Sequence, residues 1–105
     1  MTTFDDRERA YESKFVHDDA LRFKADARRN RLLGEWAAGL LGKTGEDIRA
    51  YAMSVVASDF QKPGDDDVLE KVAADLEGKA STAEIRAKMG ELLIVAREQI
   101  LTESN

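Results

Sequence analysis

The stretch Leu33–Val56 reads LGEWAAGLLGKTGEDIRAYAMSVV and contains two helical patterns separated by a turn. Apolar residues recur at positions 33, 36, 37, 40 and 41 of the first part, and at positions 48, 51, 52, 55 and 56 of the second. Both spacings match an α-helix with one apolar face. Gly42 is a stop signal for the first helix, and Thr44 is placed to cap the second. The stretch therefore predicts two amphipathic helices joined by a short connection.

Further helical patterns lie on both sides of this stretch. Lys62-Pro63-Gly64 ends the second helix, and Asp65-Asp66-Asp67 favours the start of a third because carboxylates stabilise a helix N-terminus. Ser81-Thr82-Ala83-Glu84 has the spacing of a capping box that starts a fourth. We predict helices over residues 20–41, 45–61, 66–77 and 82–102. Because the sequence shows no strand pattern and the links between the helices are short, we predict an all-α fold class, an antiparallel four-helix bundle.

The apolar stripes of these four helices predict the core of the bundle. Trp36 lies on the first stripe, where a large aromatic side chain would serve as a core anchor. The predicted core residues of the four helices are Leu33, Trp36, Ala37, Leu40 and Leu41; Ile48, Tyr51, Ala52, Val55 and Val56; Leu69, Val72, Ala73 and Leu76; and Ile85, Met89, Leu92, Leu93, Ala96 and Ile100.

The composition excludes many kinds of enzyme site. The chain has 105 residues, with 16 Lys plus Arg against 21 Asp plus Glu, a single histidine (His17) and no cysteine. These counts leave no disulfide, no cysteine-based zinc site, no histidine cluster and no conventional catalytic triad. A net charge of -5 argues against general affinity for nucleic acid. We expect a protein that is not an enzyme and needs no cofactor or metal.

One segment matches a nucleotide-binding motif. Ala37–Thr44 satisfies a permissive phosphate-loop pattern that ends in Gly42-Lys43-Thr44. A phosphate loop needs a strand that leads into it and a helix that begins at its Gly-Lys-Thr, so that backbone N–H groups converge on the phosphates. Here a helix leads into the motif, and the same residues serve as a helix end and a cap. We interpret the segment as a connection between helices.

Three other polar features have ordinary structural interpretations. The run Arg28-Arg29-Asn30-Arg31 could contact phosphate, but the acidic remainder of the chain argues against a nucleic-acid interface. We predict a solvated or partner-facing surface instead. Asp65-Asp66-Asp67 lacks the ligand spacing of an EF-hand loop and is explained by helix capping. His17 lies beside Asp18 and Asp19, whose carboxylates favour its charged form. The N-terminus shows no signal peptide, and no apolar run is long enough to span a membrane.

The charge is unevenly distributed along the chain. Residues 1–31 carry eight basic and seven acidic side chains, whereas the remaining 74 residues carry eight basic and 14 acidic ones. The first 19 residues have few apolar groups, so they bury little surface alone. Phe4, Tyr11 and Phe15 nevertheless share one helical face. We predict a mobile, conditionally helical arm over residues 1–19 and a bundle over residues 20–105.

The order of motifs resembles that of a known family, the alphaproteobacterial zeta subunit, a natural inhibitor of the F1Fo ATP synthase that is also catalogued as a domain of unknown function. The resemblance covers nearly the whole chain. It rests on Thr3-Phe4-Asp5-Asp6-Arg7-Glu8-Arg9-Ala10-Tyr11-Glu12-Ser13-Lys14-Phe15-Val16-His17-Asp18, Phe23-Lys24-Ala25, Ala27-Arg28-Arg29-Asn30-Arg31-Leu32-Leu33-Gly34, Trp36-Ala37-Ala38, Tyr51-Ala52, Asp59-Phe60 and Val72-Ala73-Ala74-Asp75-Leu76.

The resemblance implies a four-helix bundle with a flexible N-terminal arm that inserts between the alpha and beta subunits of F1, near gamma, and blocks ATP hydrolysis. From the N-terminus and the charge we expect a cytoplasmic protein without membrane insertion or a nucleic-acid partner, and we expect a monomer when free; association with the inner membrane would be through F1. The partner-binding residues of the arm would be Phe4, Asp5, Arg7, Glu8, Arg9, Tyr11, Glu12, Lys14 and Phe15. Two alternatives remain open: a small helical nucleotide-binding or nucleotide-sensing module that uses Gly42-Lys43-Thr44, and a generic helical adaptor.

Overall fold

The computed structural model describes residues 18–59 and 66–103, which form four α-helices. These are α1 (Asp19–Leu40), α2 (Glu46–Ser58), α3 (Asp66–Asp75) and α4 (Thr82–Glu103). Within the two described ranges no residue lies in a strand. The all-α, four-helix fold class is therefore confirmed. The link Lys62-Pro63-Gly64 and most of the predicted arm fall outside the described residues.

Helix α1 is the element around which the others pack, because it contacts α2, α3 and α4. It approaches α2 closely at Gly34, which is buried. A Cβ atom at Gly34 would lie 2.6 Å from the Cα of Ala52 and 3.3 Å from a Cγ of Val55. Only a residue without a side chain allows the two helix backbones to come so near.

The main hydrophobic core joins all four helices. Leu40, however, was wrongly predicted as a core residue, since 41% of it is exposed. The buried arc of α1 is centred on Leu33, Gly34 and Ala37, and Leu40 lies at the edge of this arc, in the last turn. Trp36 is only partly buried and packs against the border of the core. The buried members of the main core are Leu33, Ala37, Val55, Val68, Leu69, Val72, Leu76, Ile85 and Met89.

A second, smaller cluster lies between the first half of α1 and the second half of α4. Ala25 and Ile100 are its buried members, and Leu21, Leu93 and Leu101 pack against them partly exposed. We call these five residues the satellite cluster. It places the beginning of α1, to which the predicted arm is attached, beside the end of α4.

The helix ends show which capping signals operate. The Ser81 backbone N–H donates to Glu84 Oε1 at 3.2 Å and the Glu84 N–H donates to Ser81 Oγ at 3.1 Å, which confirms the capping box. Gly42 follows the end of α1 with a φ of +76°, as the stop signal requires. Thr44 was wrongly predicted as a side-chain cap, because Gly45 occupies the N-cap position of α2 and no side chain caps it.

Two helices end earlier than the predicted limits. Helix α3 ends at Asp75 rather than at residue 77, and the buried Leu76 follows it in a turn. Helix α2 ends at Ser58, and Asp59 closes it with a backbone hydrogen bond to Val56 at 3.3 Å. Residues 60 and 61, which the prediction included in this helix, lie outside the described ranges.

Candidate functional site

The predicted partner-binding residues belong to a part of the chain outside the described ranges. They are Phe4, Asp5, Arg7, Glu8, Arg9, Tyr11, Glu12, Lys14 and Phe15. Their assignment and the division of the chain at residues 19 and 20 therefore stay predictions. The structure does describe the part of the chain to which this segment is attached. We call this part, from Asp18 to Arg28, the base.

The base begins with a capped helix start at Asp18. Its carboxylate accepts a hydrogen bond of 3.0 Å from the backbone N–H of Leu21, which satisfies one of the free donors of the first turn. Asp19 adds a negative charge in that turn and lies 3.6 Å from the guanidinium of Arg22. Because both partners of this ion pair are largely exposed, the pair contributes little to stability. The local sequence thus fixes where α1 starts.

Arg28 ties this base to the end of α4. One of its Nη atoms donates to Gln99 Oε1 at 3.0 Å and to Glu103 Oε1 at 2.7 Å, and the other donates to Glu103 Oε2 at 2.8 Å. The hydrogen bond from Arg28 lowers the pKa of Glu103, and the same bond raises the pKa of Arg28. We call Arg28, Gln99 and Glu103 the clamp.

The neighbouring Arg29 and Asn30 contradict the prediction of a solvated surface. Arg29 is 2% exposed and Asn30 is fully buried, and Arg29 Nε donates to Asn30 Oδ1 at 2.8 Å. A signal for this burial was present, because Arg29 and Asn30 precede Leu33 and Gly34 by four residues and so share their helix face. Of the basic run, Arg31 is exposed.

Arg29 also borders the cavity between α1, α3 and α4. The cavity has a volume of about 210 Å³. Its walls combine apolar side chains with charged ones, and they consist of Arg29, Asp66, Leu69, Arg86, Met89, Gly90 and Leu93. Within the described ranges no group of three His, Cys, Asp or Glu side chains is arranged to hold a metal ion. Asp66 and Asp67 lie in the first turn of α3, where their charge favours the helix.

The segment Gly42-Lys43-Thr44 connects α1 to α2, so a helix rather than a strand leads into it. This agrees with its interpretation as a connection between helices. Lys43 Nζ lies 5.7 Å from the centre of the Tyr51 ring, and Lys71 Nζ lies 5.2 Å from it. Tyr51 donates a hydrogen bond of 2.8 Å to Asp75 Oδ2, which Lys71 also contacts at 3.1 Å. Cation–π contacts thus bring Lys43 into a polar cluster that links the connection to α3.

The titration of Tyr51 and Asp75 is coupled through their hydrogen bond. Burial, followed by the hydrogen bond to Asp75, raises the pKa of Tyr51 well above its usual value. Burial alone would raise the pKa of Asp75, but hydrogen bonds from Tyr51 and Lys71 and the charges of Lys71 and Lys43 outweigh it and lower that pKa. The folded state therefore favours a neutral Tyr51 beside an ionised Asp75.

Substitution of Tyr51→Phe is expected to reduce the free energy of unfolding at pH 7 by about 0.5 to 1.5 kcal/mol, the usual contribution of one hydrogen bond. A carboxyl whose folded pKa is lowered stabilises the fold above its unfolded pKa and loses that contribution as the pH falls through the folded value. The difference between the two proteins should therefore shrink as the pH falls below about 4. Urea unfolding at pH 7 and at low pH measures this; a constant difference would contradict the role of Asp75.

None of the four described helices combines the length and the apolar character needed to cross a bilayer.

Comparison with known proteins shows the family. The sequence profile described as ATPase inhibitor subunit zeta matches residues 1–99. A similar protein of known structure, solved by NMR in solution, has a TM-score of 0.74 and 49% sequence identity, and the match covers 79% of this chain and 98% of that one. A comparison with curated proteins yields no match. The profile spans nearly all of the 105 residues, and the chain therefore belongs to the ATPase inhibitor subunit zeta family.

Proposed function

We propose that this protein inhibits ATP hydrolysis by the F1 sector of ATP synthase, and that its N-terminal arm inserts between the alpha and beta subunits near gamma. The observation that carries the proposal is the match to the inhibitor family over residues 1–99, a range that includes the whole predicted arm. The protein acts as a regulator without catalytic residues of its own. It stays in the cytoplasm and reaches the membrane only through F1.

The division of charge and apolar groups supports separate roles for arm and bundle. The arm offers Phe4, Tyr11 and Phe15 as large apolar groups among many charges. Burial of each aromatic side chain in F1 would contribute about 1.5 to 3 kcal/mol, which offsets part of the entropy lost when the arm becomes ordered. The flanking charges then set orientation and register. The bundle, with its capped helices and packed core, holds the arm.

The direct test is an ATPase assay with F1 purified from the organism that encodes this chain. Addition of the full chain is expected to reduce hydrolysis in a saturable manner. Bovine serum albumin at the same concentration is the control for nonspecific effects. Unchanged hydrolysis at a large excess of the chain would refute the proposal and favour the adaptor alternative.

Charge reversal in the arm is expected to weaken inhibition more than charge reversal on the bundle. Arg7→Glu together with Arg9→Glu should raise the half-inhibitory concentration by on the order of tenfold, because unlike charges at an interface would become like charges. The matched control is Lys79→Glu together with Lys88→Glu, which changes the net charge equally; Lys79 is exposed in the turn before α4, and Lys88 lies in α4. Titrations of F1 with the variants measure the effect. Equal effects of both reversals would mean that the bundle makes the decisive contacts.

A further inference from the structure

We infer that the clamp, formed by Arg28, Gln99 and Glu103, is a positioning device: it holds the first turns of α1 against α4 and thereby directs the arm toward its target. The inference rests on the proposed function and adds to it the residues that set the geometry of the arm's base. None of the three residues need touch the partner.

The first turns of α1 extend beyond α2. Ala52 packs against Gly34, and α2 ends six residues later at Ser58. Since consecutive helices joined by a short connection run antiparallel, Ser58 lies about level with Arg28. Residues 19–27 therefore reach past the end of α2, and among the described elements α4 is the one against which Leu21 and Ala25 pack.

Among the described residues, few buried apolar side chains hold these turns in place. The satellite cluster has two buried members, Ala25 and Ile100, and its three other side chains are partly exposed. Segments with few buried apolar contacts open at a lower free energy than the main core does. Polar contacts between α1 and α4 in this region consequently have a large influence on whether the first turns of α1 stay closed.

The geometry of the clamp favours the closed arrangement of the first turns of α1 against α4. Its two charge-assisted hydrogen bonds to Glu103 are parallel and bidentate, at 2.7 and 2.8 Å, which fixes the direction as well as the distance of the contact. Gln99 lies one helical turn before Glu103 on the same face of α4 and accepts a third bond. The Arg28 side chain is 16% exposed, so water competes less for it than for a surface ion pair.

Restraint of the base matters because the arm begins there. Asp18, at the start of α1, is ten residues before Arg28, or about 15 Å along a helix axis. A free base would let the arm sample many directions, and that freedom would be lost on binding at a cost in affinity. A closed clamp removes part of this freedom before the partner is met.

The test combines amide hydrogen exchange with inhibition of F1 by the full chain. Arg28→Met keeps the aliphatic stem but removes the donors, and it should accelerate exchange of residues 22–27 by on the order of tenfold. Core amides such as those of Val55 and Val72 should keep their protection. The half-inhibitory concentration should rise several-fold, and Arg28→Glu combined with Glu103→Arg should restore most of the lost inhibition.

Two further variants keep the result interpretable. Glu103→Gln removes one charge at a half-exposed position where the fold tolerates change, and it should produce the same two effects to a smaller extent. Arg22→Ala removes a basic residue of the same segment and should leave inhibition unchanged. Normal inhibition by Arg28→Met and Glu103→Gln, or unchanged exchange in both, would overturn this inference alone. Failure of the wild-type chain to inhibit F1 would overturn the proposed function as well.

Discussion

Deletion of residues 2–15 is expected to abolish inhibition of F1 while the bundle stays folded. The deletion removes Phe4, Tyr11 and Phe15, the apolar groups of the arm, together with every charged residue assigned to partner binding. Among the described residues, the buried members of the main core and of the satellite cluster run from Ala25 to Ile100. The loss should be complete rather than partial, because the bundle alone has nothing to insert. ATPase titrations measure inhibition, and circular dichroism measures the helical content that remains.

A second variant separates the chemistry of the arm from its length. Phe4→Ser, Tyr11→Ser and Phe15→Ser in one chain keep all residues and charges but remove about 1.5 to 3 kcal/mol of potential burial at each position. This variant should inhibit at least a hundredfold less well than the wild type. Undiminished inhibition by the truncated chain would refute the arm as the effector, and undiminished inhibition by the serine variant would assign the effect to charge.

The largest effect on stability is expected for Gly34→Ala. The added Cβ would lie 2.6 Å from the Cα of Ala52, which belongs to a helix backbone and cannot rotate away. Helices α1 and α2 would have to separate, which also loosens the contacts of Leu33 and Val55 in the main core. Such overpacking costs about 1 to 3 kcal/mol, and backbone rather than side-chain displacement puts this case at the upper end.

Gly39→Ala provides a matched control in the same helix. Nothing lies within 4 Å of the position that its Cβ would occupy, so the substitution should raise the free energy of unfolding by about 0.5 to 1 kcal/mol through better helix propensity. In a chain of this size 1 kcal/mol corresponds to about 4 to 8 °C in Tm. Thermal unfolding should therefore shift down for Gly34→Ala and up for Gly39→Ala. Shifts of the same sign would contradict the close approach at Gly34.

Local patterns predicted the secondary structure and much of the core. Leu33, Ala37 and Val55 follow the period of their helices, and each is buried because a repeating apolar face must be covered by another element. The capping box at Ser81 and Glu84 depends on residues three apart in sequence, so no knowledge of the fold is needed to find it. The nine partner-binding residues assigned to the arm were inferred from a local periodicity and a motif resemblance, and their assignment stays a prediction.

Local sequence patterns do not predict contacts between residues that are far apart in the sequence. Arg28 and Glu103 are 75 positions apart and Tyr51 and Asp75 are 24 apart, and their pairing depends on which helices become neighbours. The exposure of Leu40 likewise depends on where the neighbouring helices lie. Three helices contact α1, so its buried arc is wider than a single apolar stripe and centred elsewhere.

The position of Trp36 gives this protein a built-in optical reporter. It is the single tryptophan of the chain, it packs against the main core, and Lys88 Nζ lies 5.6 Å from its ring. The arm contains no tryptophan, so emission excited at the red edge of the indole band originates in the bundle alone. With a target that lacks tryptophan, a fluorescence titration can therefore reveal whether the bundle rearranges when the arm engages it, without any attached dye.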